Sequence, residues 1–437
     1  MLNLPTPSGA ELVARAADLG RALRGRAAWA ERNGAPHAET VEAMTLAGVF
    51  RLCVPARFGG YEADAATVAA VAAELARADG AAAWAAAASW SAAWAGTMFP
   101  GQAQEDVFRG ADVRMCGTLR PTAMAFETGD GIEINGRWGQ IAGAAHSQWQ
   151  LIAAMRVGAD GRPTHVLALV RTSDLRLVDG WDAPGLRGCG GAGTVADHVF
   201  VPAHRVLPLR DALRGTAPRA PLVPFASVCA AGTAVGLARA AREAFSERVT
   251  YGRLADTDYE SRAAAPMTHL QVADATMKID EAEFHTRRLA GLVDGKAARS
   301  EPWSLAERAR ARAEAGEVCR LARQAADTLA AAGDETSIRD DEPLHRIARD
   351  LATMSLHSLT HPATGAELYG RTLCGLLLTR SMSDPAALAR ARSWAGCQAG
   401  CCAARCRAAL WRACCGVSRS RPCRACRAGR PPGRARS

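Results

Sequence analysis

The sequence predicts an α+β fold in which a small β-domain, a barrel or sandwich, sits between two helical domains. Three observations predict it. An Ala-rich helical pattern runs from Gly9 to about Phe108, short apolar runs bounded by Gly, Asp and Pro follow from Val113 to near Leu209, and helical character returns after Pro221 and continues to about Met382. Helices, then strands, then helices excludes a parallel βαβ array, in which the two types alternate. With 437 residues, 49% of them hydrophobic, the chain can bury at least one large core. The expected domains are 1–112, 113–210 and 218–385, followed by a segment of different character at 386–437.

In the first helical region charges are spaced between Glu11 and Arg32 and again at Glu74, Arg77 and Asp79, on an alanine background that lets helices pack closely. Pro55 and the Gly59-Gly60 pair interrupt the helices and favour a turn. The uncharged run from Gly80 to Gln104 has the length of a bilayer span but is mostly Ala, Ser, Gly and Trp. These residues gain far less in lipid than Leu or Ile, so a buried helix is expected, with no membrane partner. Strands are expected at Gly131–Gly136, Leu151–Met155, His165–Val170 and His198–Pro202. The last helical region is broken at Pro266, Pro302, Gly333 and Pro343.

The net charge of +9 suggests nucleic acid until it is located along the chain. Twelve arginines and no acid lie between Ala386 and Ser437, so the rest of the chain carries −3 and no nucleic-acid footprint. Eight of the fourteen cysteines share that segment; the others, Cys53, Cys116, Cys189, Cys229, Cys319 and Cys374, show no metal-ligand or disulfide spacing and read as buried cytosolic thiols. No metal site is expected. A zinc module or basic arm would be the functional reading of the tail, but it has no His and one Cys-x-x-Cys pair, Cys423 and Cys426. Its Arg/Ala/Cys/Gly/Pro mixture reads as the frame-shifted end of a high-GC gene, with disorder expected. The N-terminus lacks a secretory signal, and a cytoplasmic protein is expected.

Gly188-Cys189-Gly190-Gly191-Ala192-Gly193 matches the dinucleotide pattern Gly-x-Gly-x-x-Gly. A pyrophosphate site needs a helix N-terminus directly after the glycines, whereas Thr194 to Pro202 reads as a strand. A Rossmann site is therefore not expected, and no NAD(P)H site is apparent elsewhere.

Several segments in order resemble one family. Asp341-Glu342-Pro343-Leu344-His345-Arg346-Ile347-Ala348-Arg349-Asp350, with His357 and then Glu367-Leu368-Tyr369-Gly370-Arg371 beyond it, resembles the C-terminal helical region of the acyl-CoA dehydrogenase superfamily. Pro55 to Gly60 resembles its N-terminal turn, and Ala78 to Trp84 the helix start of its flavin-dependent monooxygenase branch. Gly136 to Trp149 is similar to the segment that packs beside the flavin ring, and Pro184 to Arg205 to the Gly-x-Arg-Gly-Thr-Gly-Ser loop and following strand. The resemblance covers roughly Gly9 to Pro385. It implies an acyl-CoA dehydrogenase-like fold with a C-terminal four-helix bundle and a homotetramer built through the C-terminal helices.

In that branch the resemblance implies a two-component, group D enzyme. A separate flavin reductase delivers reduced FMN or FAD, dioxygen adds to give a C4a-hydroperoxyflavin, and a small, aromatic substrate is hydroxylated. His357 stands at the position of the family's catalytic histidine, where an imidazole can deprotonate a phenol or hydrogen-bond the flavin adduct. His146 follows the flavin-facing segment and is a second candidate. Ala142, Gly143 and Gly190 are the expected flavin contacts, although Ala142 lacks the usual hydroxyl, and Cys189 and Gly191 replace Thr and Ser. Arg262 and Gln271 lie where relatives approach the flavin phosphate or a neighbouring subunit. Trp84, on a helix that borders the pocket, and Arg120 are the expected substrate contacts, although Trp84, like Trp90 and Trp94, reads first as core. Two alternatives remain: an FAD-containing acyl-CoA dehydrogenase with Asp341 as base, and a degenerate, non-catalytic flavin-binding homologue, motivated by Ala142, Cys189 and Gly191.

Overall fold

A computed structural model describes residues 6–158, 163–178, 182–215, 219–250, 254, 257–333, 339 and 342–376. Asp341 and the whole 386–437 segment lie outside these. The described residues belong to one compact unit, Met1–Pro385.

Six helices come first: α1 (Gly9–Asp18), α2 (Gly20–Asn33), α3 (Ala38–Leu46), α4 (Ala65–Ala78), α5 (Gly80–Gly96) and α6 (Gly101–Val107). A capping box opens α1, with the Glu11 N–H donating to Ser8 Oγ at 3.3 Å and the Ser8 N–H to Glu11 Oε2 at 2.6 Å. The uncharged run begins with α5, buried nearly all round, and ends in the first turn of α6. Trp84 and Trp90 are buried in the core, where Trp90 Nε1 donates to the Val49 carbonyl at 2.7 Å, and the half-buried Trp94 stacks on Phe225 with centroids 4.1 Å apart.

The strands are β1 (Met115–Gly117), β2 (Ala123–Thr128), β3 (Gly131–Ile141), β4 (Trp149–Val157), β5 (Pro163–Arg171), β6 (Arg176–Val178), β7 (Ala192–Pro202) and β8 (Val206–Pro208). They form one hydrogen-bonded sheet in the order β6-β7-β3-β2-β4-β5-β8, with β1 added parallel to β4. Its core is built on Ile134, Trp138, Ile152 and Val166. All four runs expected as strands lie within β3, β4, β5 and β7. Strand β7 follows the glycine run directly, so no helix N-terminus is there to hold a pyrophosphate.

Six further helices complete the chain: α7 (Leu209–Arg214), α8 (Leu222–Val249), α9 (Pro266–Ala298), α10 (Leu305–Ala331), α11 (Pro343–Met354) and α12 (Pro362–Leu373). Among the described residues α8 is the one helix long and apolar enough to cross a membrane, and it is nearly all buried at the centre of the bundle. It packs against α4 at backbone distance: a Cβ on Gly236 would stand 2.2 Å from the Ala73 carbonyl oxygen, and one on Gly232 2.4 Å from that of Ala69. The small residues of the two helices are what let them approach so closely. The architecture is the expected acyl-CoA dehydrogenase-like one.

Candidate active site

His357 lies in the turn after α11, and that turn is held from inside. Arg312 Nη2, on α10, donates to the Ser358 carbonyl, Arg323 Nη1 donates to Ser355 Oγ at 3.1 Å, and Thr360 Oγ1 donates back to the Met354 carbonyl. Its imidazole meets Trp84 of α5 edge to face, with centroids 5.2 Å apart. By surface area the residue is exposed, although protein atoms crowd the ring. Desolvation, followed by the charges of Arg120 and Arg312, pushes its pKa down to about 4, so it is neutral near pH 7. The Leu359 N–H donates to His357 Nδ1 at 3.3 Å. In the neutral ring the proton is therefore on Nε2.

A second group forms where two loops clasp. The Gly143 N–H donates to the Cys189 carbonyl and the Ala145 N–H to the Gly190 carbonyl, each at 3.1 Å. His146 is wedged between them. A Cβ on Gly190, which has φ +64°, would come within 2.8 Å of His146 Nδ1, so only glycine fits there. That nitrogen is buried without a hydrogen-bond partner. Burial, with Arg114 second, pushes the His146 pKa down to about 4. Arg114 Nε donates to the His146 carbonyl at 2.7 Å and anchors the turn.

Buried carboxylates join the two groups. Asp350 on α11 accepts the N–H of Leu186, a left-handed non-glycine residue with φ +56°, at the head of the 186–191 loop. Burial pushes Asp350 up to about 7, against the pull of the Leu186 N–H, and Asp79 pushes the same way. Asp79 caps α5, accepting from the Ala81 and Ala82 N–H groups at 3.0 and 3.4 Å, and its own pKa is raised by burial. Arg349 clamps the other side of the loop, donating through Nε to the Pro184 carbonyl at 3.1 Å and pairing with Glu31. A Cβ on Gly188 would lie 3.4 Å from that of Ala81. Ala81 is three residues, about one helical turn, before Trp84. The first turn of α5 therefore runs from the glycine loop to His357.

His357, Trp84, His146, Ala142, Gly143 and Gly190 are thus linked along α5, α11 and the clasped loops, and Arg120 is near enough for its charge to act on His357. Gly143 has its N–H committed to Cys189, so what it offers a ligand is its open backbone face. Arg262 is buried in the turn that opens α9, and Gln271 is half-buried on α9. The principal neighbours of α9 are α4, α8 and α10, so these two residues stand outside the cluster. Glu342, beside Asp341, is engaged by Arg248. Sequence reasoning missed Asp350, Asp79, Arg114 and Arg312. Only Asp79 carried a signal, as an acidic residue directly before a long alanine run.

Residues 13–106 match the acyl-CoA dehydrogenase N-terminal domain family, and residues 228–362 match its C-terminal domain. The oxygenase component of an FADH(2)-dependent resorcinol hydroxylase from Rhizobium sp. (strain MTP-10005) is 31% identical over 303 residues, covering 64% of this chain and 74% of the relative. This chain belongs to the acyl-CoA dehydrogenase superfamily, in its flavin-dependent monooxygenase branch. A flavin-dependent monooxygenase, oxygenase subunit HsaA, of Rhodococcus jostii (strain RHA1) is 29% identical, covering 79% of this chain and 93% of the relative. Among solved structures of the branch, XiaF from Streptomyces sp. in complex with FADH2 and glycerol superposes with a TM-score of 0.81 at 27% identity, covering 85% of this chain and 97% of its own. The 3-HSA hydroxylase of Rhodococcus sp. RHA1 gives 0.77 at 28% identity, covering 85% and 99%.

Proposed function

We propose that this monooxygenase is the oxygenase component of a two-component system, in which a separate reductase supplies reduced FMN or FAD and a small aromatic substrate is hydroxylated with dioxygen. The observation that carries the reading is the neutral His357 ring set edge-on to Trp84, one turn of α5 from the clasped glycine loops. In this reading a planar ring with polar edges lies beside those loops, where the buried Nδ1 of His146 has no partner and Gly190 packs directly against that ring. Gly143, Gly190 and the backbone around Ala142 would hold it through main-chain atoms, with His146 as the polar side chain. Reduced flavin, when bound, supplies the electrons that activate dioxygen.

Every other contribution comes from the chain. His357, with Nδ1 committed to Leu359, presents Nε2–H as a hydrogen-bond donor to an oxygen atom at the site. It acts in this reading as donor rather than as resting base, because removal of a substrate proton would need the opposite tautomer. Trp84, almost wholly buried, and the alanine wall of α5 exclude water from the side of His357 that they back.

The test is hydroxylation under labelled dioxygen, with reduced flavin regenerated by an added reductase. One labelled oxygen in an aromatic product supports the reading. Reoxidation of flavin to hydrogen peroxide alone, across a panel of phenols and indoles, would sink it, and reduction of bound flavin by an acyl-CoA would favour the dehydrogenase.

Association through α9 belongs to the same reading. Met267, Leu270, Met277 and Phe284 are exposed at spacings of three and seven along one face. Beside them lies a concavity lined by Met277, Lys278, Arg320 and Leu321. A second copy covering this stripe would carry Arg262 and Gln271 into an interface, the first step to a homotetramer.

A further inference from the structure

The loop from Thr118 to Thr122 holds Arg120 on a fixed backbone close to the His357 turn. The Thr118 N–H donates to the Leu151 carbonyl at 3.0 Å, the Arg120 N–H to Thr118 Oγ1 at 3.2 Å, the Thr122 N–H to the Arg120 carbonyl at 2.9 Å, and Thr122 Oγ1 to the Arg137 carbonyl at 2.7 Å. Leu119 packs against the Val223 and Leu368 pair, and so does Leu359, two residues after His357. The loop and the His357 turn therefore flank one apolar cluster. Arg120 itself is exposed, and among the described residues its guanidinium has no hydrogen bond or ion pair.

Arg120 and Arg312 are the charges that act on His357. Arg312 is turned to the Ser358 carbonyl and positions the turn, whereas the guanidinium of Arg120 is available. A carboxylate would meet it with two charge-assisted hydrogen bonds from a planar fork.

We propose that the aromatic substrate carries an anionic group, of which a carboxylate is the simplest, and that Arg120 binds it and selects for it. The inference rests on the monooxygenase reading and names its substrate class. An anion could also come from the flavin phosphate, so the test separates the two sources.

Equilibrium dialysis of the full-length protein, with and without FMN and at low and high salt, would compare aryl acids with their uncharged amides, built in matched pairs on phenol, indole and naphthol rings. Hydroxylation of the same pairs with reduced FMN would follow. Acids are expected to bind a few-fold more tightly than their amides in at least one ring series, with the advantage shrinking in salt. Arg120→Gln should bring the acid-to-amide ratio close to one, through KM rather than kcat, and Arg120→Glu should invert it. Equal binding of acid and amide in every series would overturn the proposal, as would a preference that survives Arg120→Glu. Loss of FMN affinity in Arg120→Gln with the acid preference intact would assign the arginine to the flavin phosphate instead. If acids are preferred and Arg120 controls the preference but no labelled oxygen enters any product, the monooxygenase reading fails and the selectivity stands.

Discussion

At the scale of residues, His357 and Asp350 have opposite relations to pH. His357 and His146 are pushed down to about 4, below the free-imidazole value of about 6.5, so the unfolded chain takes up those protons first. Their contribution to stability is lost as pH falls from about 6.5 towards 4, more of it through the half-buried His146 than through the exposed His357. Asp350, pushed up to about 7, keeps a proton that the unfolded chain sheds near 4, so its contribution is lost as pH rises through that interval. Asp350→Asn, which can still accept the Leu186 N–H, should flatten the decline between pH 5 and 7 in urea midpoints. Asp350→Ala should cost roughly 1–3 kcal/mol by leaving that buried N–H unpaired. A wild-type slope retained in Asp350→Asn would place the titration elsewhere. For His357 the donor role makes a distinct prediction. His357→Phe should lower the hydroxylation rate by about 10²-fold or more, while His357→Asn, whose amide can donate, should retain a larger share. Equal losses in the two variants would point to base catalysis.

At the scale of elements, the α4 and α8 pair depends on residues without side chains. Gly236→Val would drive a Cβ into the Ala73 carbonyl and force the helices apart, with an expected loss of about 1–3 kcal/mol or more, read as a lowered Tm. An unchanged Tm would mean that α8 can slide without penalty. Helix α5 holds a different position, because its cap at Asp79, its contact with the glycine loop at Ala81 and its Trp84 face span the candidate site in little more than one turn. Small residues there are needed for approach: a Cβ on Gly80 would lie 2.4 Å from Leu237 Cδ2 and 3.1 Å from Asp350 Oδ2.

At the scale of the whole molecule, the exposed α9 stripe predicts association. Met277→Glu combined with Phe284→Glu should reduce the mass measured by light scattering, and an unchanged mass would remove the stripe from the interface. Legibility also divides by scale. The order helix, strand, helix was readable because the hydrophobic period and the breakers Pro55, Pro221 and Pro343 are local properties of the chain. His357 was readable only through its distance from Arg349-Asp350, a family spacing. Its tautomer, its neutrality and its contact with Trp84, more than 270 residues away in sequence, were not. Those depend on Leu359, Arg312 and α5 meeting at one place. Asp350 looked like one charge in a polar helix until folding buried it under Leu186 and beside Asp79. The sequence by itself determined which segments are helical, where the strands fall and which residue types were on hand for flavin chemistry. Tertiary structure alone decided which of them share a site, because desolvation, charge proximity and the close approach of backbones at glycine exist only once distant segments pack.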